Sequence, residues 1–213
     1  VRNKFDEPVR VKYAMSCGHN FNPVSNHFHA DNRYTCGHAT CESSKWAWDN
    51  PHTSRCHSML LYLFRSFKGE EASIDEHKYR AMFRLSGYVA TQFKPSVAKT
   101  VYEKEGAKKV IDISCGWGDR LAGFYASNNT TEYLGCDPNT DSYNLYKEQC
   151  KAYENLLESP LFPKEVYFED HGDWFECVGE KRVRIYNKPA EDIDWDTVCE
   201  TEHDVMFTSP PYF

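Results

Sequence analysis

The sequence predicts an α/β fold in which a mostly parallel β-sheet carries helices on both faces. Short β-branched runs alternate with helical segments over residues 93–213, and this alternation is typical of parallel strands joined by crossover helices. A glycine-bearing turn follows the first of these runs, where such folds hold their ligands. The 213 residues, 40% hydrophobic and 15% aromatic, suffice for one packed domain of this kind and a smaller attachment.

The periodicity of the apolar residues predicts the individual elements. A helix with Pro95 in its first turn and Gly106 as its C-cap places Val97 and Val101 on its inner face. Two further helices are expected at Asp119–Ser127 and over residues 140–158. The predicted strands are Val110–Ile113, Tyr133–Cys136, Val166–Phe168, Val183–Tyr186 and Asp204–Thr208.

Composition divides the chain into three parts. Residues 1–57 are predicted to be an irregular Cys/His-rich module, residues 58–92 a helical segment, and residues 93–213 the main domain. The chain starts without Met and stops directly after a strand-like run, so we expect the main domain to be C-terminally incomplete. The oligomeric state is left open.

Charge and cysteine usage limit the class of protein. Nine cysteines at irregular spacing argue against a disulfide framework. With no bilayer-length apolar run and no signal-peptide pattern, we expect a soluble, intracellular protein that does not enter membranes. Residues 1–110 hold 17 Lys/Arg and 11 Asp/Glu, a net charge of +6, whereas residues 111–213 hold 8 and 21, a net of −13. A polyanion would be attracted to the first part and repelled by the second.

The turn from Asp112 to Arg120 is the first candidate for a ligand site. It follows a predicted strand and opens a helix, and its two glycines permit a tight turn and close approach of the backbone to a ligand. An adenosine-type cofactor would bind here, with Asp112, Ser114, Gly116 and Gly118 as candidate contacts. The alternative is an ordinary glycine-bearing loop.

Asp137 is the second candidate. It ends the next predicted strand, 19 residues after Gly118, and an acidic residue at about this distance can accept hydrogen bonds from ribose hydroxyls. Because Pro138 follows it, Asp137 could instead start a turn or cap a helix.

The segment Ser209-Pro210-Pro211-Tyr212-Phe213 ends the chain directly after a predicted strand. It resembles the Ser/Asn/Asp-Pro-Pro-Tyr/Phe signature of the S-adenosylmethionine-dependent amino-methyltransferases, which methylate N6 of adenine, N4 of cytosine, exocyclic amines in RNA or the side-chain amide of glutamine. The turn at Asp112–Arg120 resembles the cofactor loop of that family, with Asp112, Gly116 and Gly118 in register. The resemblance covers residues 93–213 and implies a Rossmann-like class I methyltransferase fold.

The resemblance also implies roles for individual residues. Ser209 and the carbonyl of Pro210 would accept the N–H groups of the target amine, while Pro211 stiffens the loop and Tyr212 stacks on a flipped base. Lys94 and Pro95, with the helix after them, resemble the segment that covers the methionine end of the cofactor. An acidic residue after the Val183–Tyr186 strand would bind the adenine amine. Asp192 is the first choice and Glu191 the second, and a solvated acidic turn is the alternative.

The resemblance indicates the substrate less directly than it indicates the reaction and the cofactor. The first hypothesis is a DNA amino-methyltransferase, similar to the orphan enzymes of phages and large DNA viruses, in the cytoplasm of a bacterial or phage-infected host cell. RNA or a protein glutamine is the alternative substrate, and a catalytically inactive methyltransferase-like subunit is the third possibility. Ser209 favours cytosine N4 but also occurs in adenine enzymes. Carbon-5 cytosine methylation is not expected, because the chain contains no Pro-Cys pair for the attacking thiol.

One departure from the family pattern affects the cofactor loop. Trp117 and the charged pair Asp119-Arg120 replace the usual small residues, so we expect either a differently shaped pocket or an Arg120 that turns outward.

The Cys/His-rich module could bind zinc. Cys17-Gly18-His19 and Cys36-Gly37-His38 repeat a triplet, and Cys41 and Cys56-His57 follow. A structural zinc takes four such ligands in a tetrahedron, which Cys36, His38, Cys41 and Cys56 could supply. The spacing matches no familiar design, so a metal-free polar structure is the alternative and no metal ligand is assigned.

Overall fold

The computed structural model describes residues 21–38, 41–50, 52, 58, 87–157 and 165–208. In chain order, the helices are α1 (Pro23–Thr35), α2 (Ser44–Asp49), α3 (Pro95–Glu105), α4 (Asp119–Ala126), α5 (Thr140–Leu157) and α6 (Trp195–Val198), with a 3₁₀ turn at Ala190–Asp192. The strands are β1 (Lys109–Asp112), β2 (Glu132–Cys136), β3 (Tyr167–Asp170), β4 (Trp174–Val178), β5 (Arg182–Tyr186) and β6 (Val205–Met206).

The six strands form one sheet in the order β3-β4-β5-β2-β1-β6. Strands β5, β2, β1 and β6 are parallel, whereas β4 runs antiparallel to β5 and β3 antiparallel to β4. The predicted Rossmann-like α/β fold with a mostly parallel sheet is confirmed. Strand β2 lies on one side of β1, with β5 beyond it, and the last strand, β6, lies on the other side of β1. This places the switch in strand order beside β1, where folds of this type bind ligands.

Aromatic rings join three helices to one face of the sheet. Tyr133, Phe175 and Phe207 point to this face, since pairing register and alternation set their direction. They contact Phe124 of α4, Tyr143 of α5 and Tyr102 of α3, respectively, at centroid distances of 5.2, 5.6 and 5.7 Å. The connection from β5 to β6 crosses the opposite face, where Glu200 pairs with Arg184. Helices α3, α4 and α5 therefore lie on one face, and the connection that contains α6 crosses the other.

Helix α3 begins and ends where the sequence predicts but buries a different face. Pro95 occupies its first turn, and Gly106 ends it in the left-handed conformation at φ +65°. Its buried residues are Pro95, Ala98 and Tyr102, so the expected inner face of Val97 and Val101 is wrong. The physical reason is the close crossing with α4 at Gly123, where only a side chain as small as that of Ala98 fits.

The N-terminal segment is more regular than expected. Residues 23–35, predicted to be irregular, form α1, which packs against α5 and α2. The buried side chains of α1 are Ser25, His29 and Arg33. Because the fully buried positions of this helix are polar, it shows little of the apolar periodicity from which a helix is predicted.

Several predictions fall outside the described residues. These are most of the 58–92 helical segment, Cys17, Cys56 and Ser209–Phe213. The domain boundaries at 57/58 and 92/93 therefore stay predictions. Within the described ranges, no helix has the length and apolar character needed to cross a bilayer.

Candidate functional site

The carboxyl ends of the four parallel strands meet at one edge of the sheet. Asp112 ends β1, the turn after it carries Ser114, Gly116 and Gly118, and Asp137 directly follows β2. The backbone N–H of Cys115 donates to the carbonyl of Cys136 at 3.0 Å, which joins the two strand ends. The residues selected from two separate sequence motifs therefore lie in one site.

The two glycines of the loop serve different purposes. Both adopt the left-handed conformation, at φ +61° for Gly116 and +67° for Gly118. Among the described residues, a Cβ on Gly116 would meet only the carbonyl of Ser114, at 3.7 Å, so within that part of the chain this glycine leaves open space for a ligand. A Cβ on Gly118 would overlap the amide of Gln149 and come within 2.8 Å of Nε2 of His29, so this glycine permits close packing inside the protein.

Asp112 and Arg120 form a buried ion pair at the base of the loop. Arg120 Nε and Nη2 donate to the two carboxylate oxygens at 2.7 and 3.0 Å, and both side chains are almost completely buried. Burial opposes the charge on Arg120, but the Asp112 carboxylate keeps the pKa of the guanidinium above its usual value. Of the two alternatives for this loop, an Arg120 that turns outward is therefore wrong, and a differently shaped pocket stays a prediction. The buried carboxylate requires a cation, and Arg120 lies one strand-to-helix turn away.

The carboxylate of Asp112 has its hydrogen-bonding capacity filled by protein groups. Besides Arg120, the hydroxyl of Tyr133 donates to it at 2.6 Å and the backbone N–H of Ser114 at 3.1 Å. A carboxylate offers about four acceptor positions, and these donors occupy them. Asp112 holds the loop in shape, and its predicted direct contact with a cofactor stays untested.

Asp137 faces the loop from the end of β2. Its two oxygens accept the backbone N–H groups of Gly116, at 2.7 Å, and of Asn139, at 2.9 Å. Burial raises the pKa of this carboxyl, and the two N–H donors partly oppose that shift. The Asn139 contact shows that Asp137 also starts the turn into α5, so the turn role considered as an alternative is real.

Ser114 connects the loop to β6. Its Oγ lies 2.6 Å from Oγ1 of Thr208, the residue immediately before Ser209. The carbonyl of Ser114 also accepts from Nη2 of Arg120. The last described residue of the chain therefore touches the glycine loop, while Ser209, Pro210, Pro211 and Tyr212 lie outside the described residues.

The segment before α3 lies next to the same strand. The ring of Phe93 packs on that of Phe207 at 5.4 Å, and the guanidinium of Arg120 lies 5.6 Å from the centroid of Phe93. Lys94 is the half-buried N-cap of α3, and Pro95 is buried in its first turn. These ring contacts place Phe93, the residue before Lys94, beside Phe207 and Arg120.

The acidic candidates after β5 are both exposed. Glu191 and Asp192 belong to the 3₁₀ turn at the carboxyl end of β5. Burial raises the pKa of Cys136 to about 12, and the charges of Asp112, Asp137 and Glu191 add to that shift. Asp192, the first choice from the sequence, and Glu191, the second, both stay predictions.

The floor of the loop consists of residues that the motifs did not indicate. Tyr146 Oη donates to the carbonyl of Gly116, and Gln149 Nε2 donates to that of Gly118 at 2.9 Å. Gln149 is completely buried. A polar residue among the apolar positions of a helix is the one signal that could have indicated it.

The zinc hypothesis remains a prediction. Cys36, His38 and Cys41 lie in the described part of the chain, where His38 and Cys41 exchange two backbone hydrogen bonds of 3.0 and 2.8 Å. His38 stacks on Tyr88 at 5.4 Å. No group of three or more potential ligands is assembled within the described ranges, and Cys17 and Cys56 lie outside them.

Comparisons with known proteins yield only distant structural likenesses. No protein-family model matches the sequence, and no curated protein matches it. Among solved structures, the chain is similar to the complex of Trm1 from Pyrococcus horikoshii with S-adenosyl-L-methionine, with 20% sequence identity and a TM-score of 0.35. The likeness covers 46% of this chain and 26% of that one, so the chain spans about a quarter of that protein's length.

Proposed function

We propose that this chain is an S-adenosylmethionine-dependent methyltransferase that acts on an exocyclic amine of a DNA base, N6 of adenine or N4 of cytosine. The hydrogen bond between Ser114 and Thr208 carries the proposal. It joins the glycine loop to the residue that precedes Ser-Pro-Pro-Tyr, although the two are 94 positions apart in sequence. A methyl donor on the loop and an amine at Ser209 would therefore be neighbours.

The described residues fit the cofactor. The open side of Gly116 allows the backbone to approach a ligand closely. Asp137 lies beside it at the end of β2, where a carboxylate can accept ribose hydroxyls after releasing the N–H of Gly116. Asp192 and, as the second choice, Glu191 are the candidates for binding the adenine amine, and both lie in the turn after β5. The bound cofactor would supply its methyl group from a sulfonium centre.

The residues after Thr208 would bind the amine that receives the methyl group. The lone pair of an exocyclic amine is delocalised into the base, so the nitrogen is a poor nucleophile. Hydrogen-bond acceptors placed at its N–H groups make it a better one. Ser209 Oγ and the carbonyl of Pro210 would be those acceptors, aligned before reaction for the charge that develops on nitrogen. Pro211 would stiffen the loop, and Tyr212 would stack on the flipped base.

Methylation assays with tritiated cofactor on DNA, RNA and protein test the substrate class. We expect label in DNA, and mass spectrometry of the nucleosides then identifies N6-methyladenine or N4-methylcytosine. Label only in RNA or in protein glutamine would replace DNA by that substrate. Cofactor binding without transfer to any of the three would indicate an inactive subunit.

A matched pair of serine variants tests the role of Ser209. We expect Ser209→Ala to lower turnover by about 100-fold while affinity for S-adenosylhomocysteine stays the same, because only an acceptor for the amine is lost. Ser44→Ala, on α2, is the control and keeps wild-type turnover. Equal activity of both variants would contradict the proposed site.

A further inference from the structure

The polar face of α1 lies against the back of the glycine loop. Ser25 and His29 are spaced one helical turn apart, and their exposed fractions are 0% and 1%. Arg33, one turn further, donates to the carbonyl of Ala90 at 3.5 Å and to Asn26 at 2.9 Å. Because polar groups are costly to bury without partners, their positions specify one docking geometry for this helix.

His29 reaches Gly118 through one intermediate side chain. The amide Nε2 of Gln149 donates to the carbonyl of Gly118 at 2.9 Å and contacts Oη of Tyr153 at 3.2 Å. This orients the amide oxygen of Gln149 towards His29, whose Nε2 lies 3.0 Å away. Burial lowers the pKa of His29 to about 4, so the ring is neutral at pH 7 and donates from Nε2.

Ser25 reaches the next residue of the loop directly. Its hydroxyl donates to Oδ1 of Asp119, the first residue of α4. Gln92 Nε2 donates to the same oxygen at 2.9 Å and also lies 3.0 Å from Oγ of Ser25. Gly118 and Asp119, the hinge between loop and helix, are therefore both held by α1.

We propose that Ser25 and His29 are positioning residues for cofactor binding, which act through Asp119 and Gln149 to hold the glycine loop in its binding conformation. The inference rests on the proposed function of this loop. By linkage, any event that docks α1 more firmly strengthens cofactor binding, and a bound cofactor stabilises α1 to the same extent. The N-terminal segment would thus control the affinity of the cofactor site without contacting the cofactor.

Three variants of α1 test this proposal by calorimetry with S-adenosylhomocysteine. His29→Leu removes the donor to Gln149, and we expect Kd to increase about tenfold, within the usual range of such coupling. His29→Gln restores an N–H donor of similar reach and should rescue most of the affinity. Asn32→Ala is the control, because Asn32 donates to Ser142 of α5 at 3.0 Å rather than to Gln149 or Asp119.

Amide hydrogen exchange gives a second measurement on the same proteins. S-Adenosylhomocysteine should slow exchange across residues 23–35 in the wild type and in Asn32→Ala, but much less in His29→Leu. If His29→Leu does not fold, Ser25→Ala takes its place, since it removes a single hydroxyl and should also weaken binding.

The outcomes separate the two proposals. If folded His29→Leu, or Ser25→Ala in its place, bound S-adenosylhomocysteine with the same Kd as the wild type, the positioning role alone would be overturned. An equal loss of affinity in Asn32→Ala would overturn it as well. A wild-type protein that binds neither S-adenosylmethionine nor S-adenosylhomocysteine would overturn the proposed function, and the positioning role with it.

Discussion

At the scale of residues, the buried ion pair of Asp112 and Arg120 holds the glycine loop in shape. Both side chains are removed from water, so each depends on the other for compensation of its charge. The network adds Tyr133 and the backbone of Ser114 to the same carboxylate. Loss of one partner therefore costs more than the small net contribution of the pair itself.

We expect Arg120→Met to lower the free energy of unfolding by about 3–5 kcal/mol, because it leaves the Asp112 carboxylate buried without a cation. Urea denaturation at pH 7 measures the loss. Lys45→Met, in the exposed i,i+4 pair with Asp49, is the control and should leave the midpoint unchanged. A similar midpoint for both variants would show that the Asp112 carboxylate is not stabilised by Arg120.

His29 and Asp119 make opposite contributions to the pH dependence of stability. Burial raises the pKa of Asp119 from 3.8 to about 6, so below that value the folded state binds more protons than the unfolded state and stability increases as the pH falls. Burial lowers the pKa of His29 from 6.5 to about 4, so there the unfolded state binds more protons and stability decreases as the pH falls. The two effects overlap between about pH 4 and 6.

Single variants should separate these two effects. Relative to the wild type, we expect Asp119→Asn to lose stability as the pH falls from 6.5 towards 4, since only the His29 contribution remains. His29→Gln should gain stability over the same interval. Urea unfolding at several pH values measures both, and parallel profiles for the three proteins would contradict the assigned pKa directions.

At the scale of elements, the crossing of α3 and α4 fixes the segment that carries Lys94 and Pro95. A Cβ on Gly123 of α4 would lie 2.5 Å from the Cβ of Ala98 and 2.7 Å from the carbonyl oxygen of Pro95. Alanine is better than glycine inside a helix by about 1 kcal/mol. Here overlap with the backbone of α3 outweighs that gain, because the helices must separate to admit a methyl group.

We expect Gly123→Ala to destabilise the protein by about 1–3 kcal/mol. Shifting α3 also moves Phe93 away from Phe207, so affinity for S-adenosylhomocysteine should fall as well. Adding Ala98→Gly removes the nearest overlapping atom and should recover part of the stability. A stabilised single variant would show that the helices are less closely packed than the structure indicates.

Helix α1 is an element that the periodicity of the sequence did not indicate. Its buried residues are polar, and their partners Gln149 and Asp119 lie far away in the chain. Strand β4 was also missed, because residues 174–178 alternate buried and half-buried positions without a β-branched run. By contrast, β1, β2 and β5 were located within one or two residues, since their apolar runs need no partner to be recognised.

For the whole molecule, charge is distributed unevenly along the chain. The net charge of −7 combines +6 over residues 1–110 with −13 over residues 111–213. The DNA hypothesis therefore requires that phosphate contacts come mainly from the first part. In the proposed site, the cofactor would contact mostly backbone and buried groups of the loop, so its binding should respond differently to salt.

We expect DNA affinity to fall steeply between about 50 and 200 mM salt, since each neutralised phosphate releases counterions. Affinity for S-adenosylhomocysteine should stay nearly constant over the same range. Fluorescence anisotropy with a labelled duplex and calorimetry with the cofactor product measure the two. DNA binding that is insensitive to salt would contradict a contact surface made by the basic first part of the chain.

The sequence by itself determined the order of the main elements, the glycine loop and the acidic residue after β2, because backbone conformation and hydrophobic periodicity are local properties. Only the tertiary structure decided that Thr208 meets Ser114, that Arg120 turns inward and that α1 supports the loop. These contacts join residues from different strands and helices. They depend on strand order and on the compensation of buried polar groups, neither of which a local pattern records.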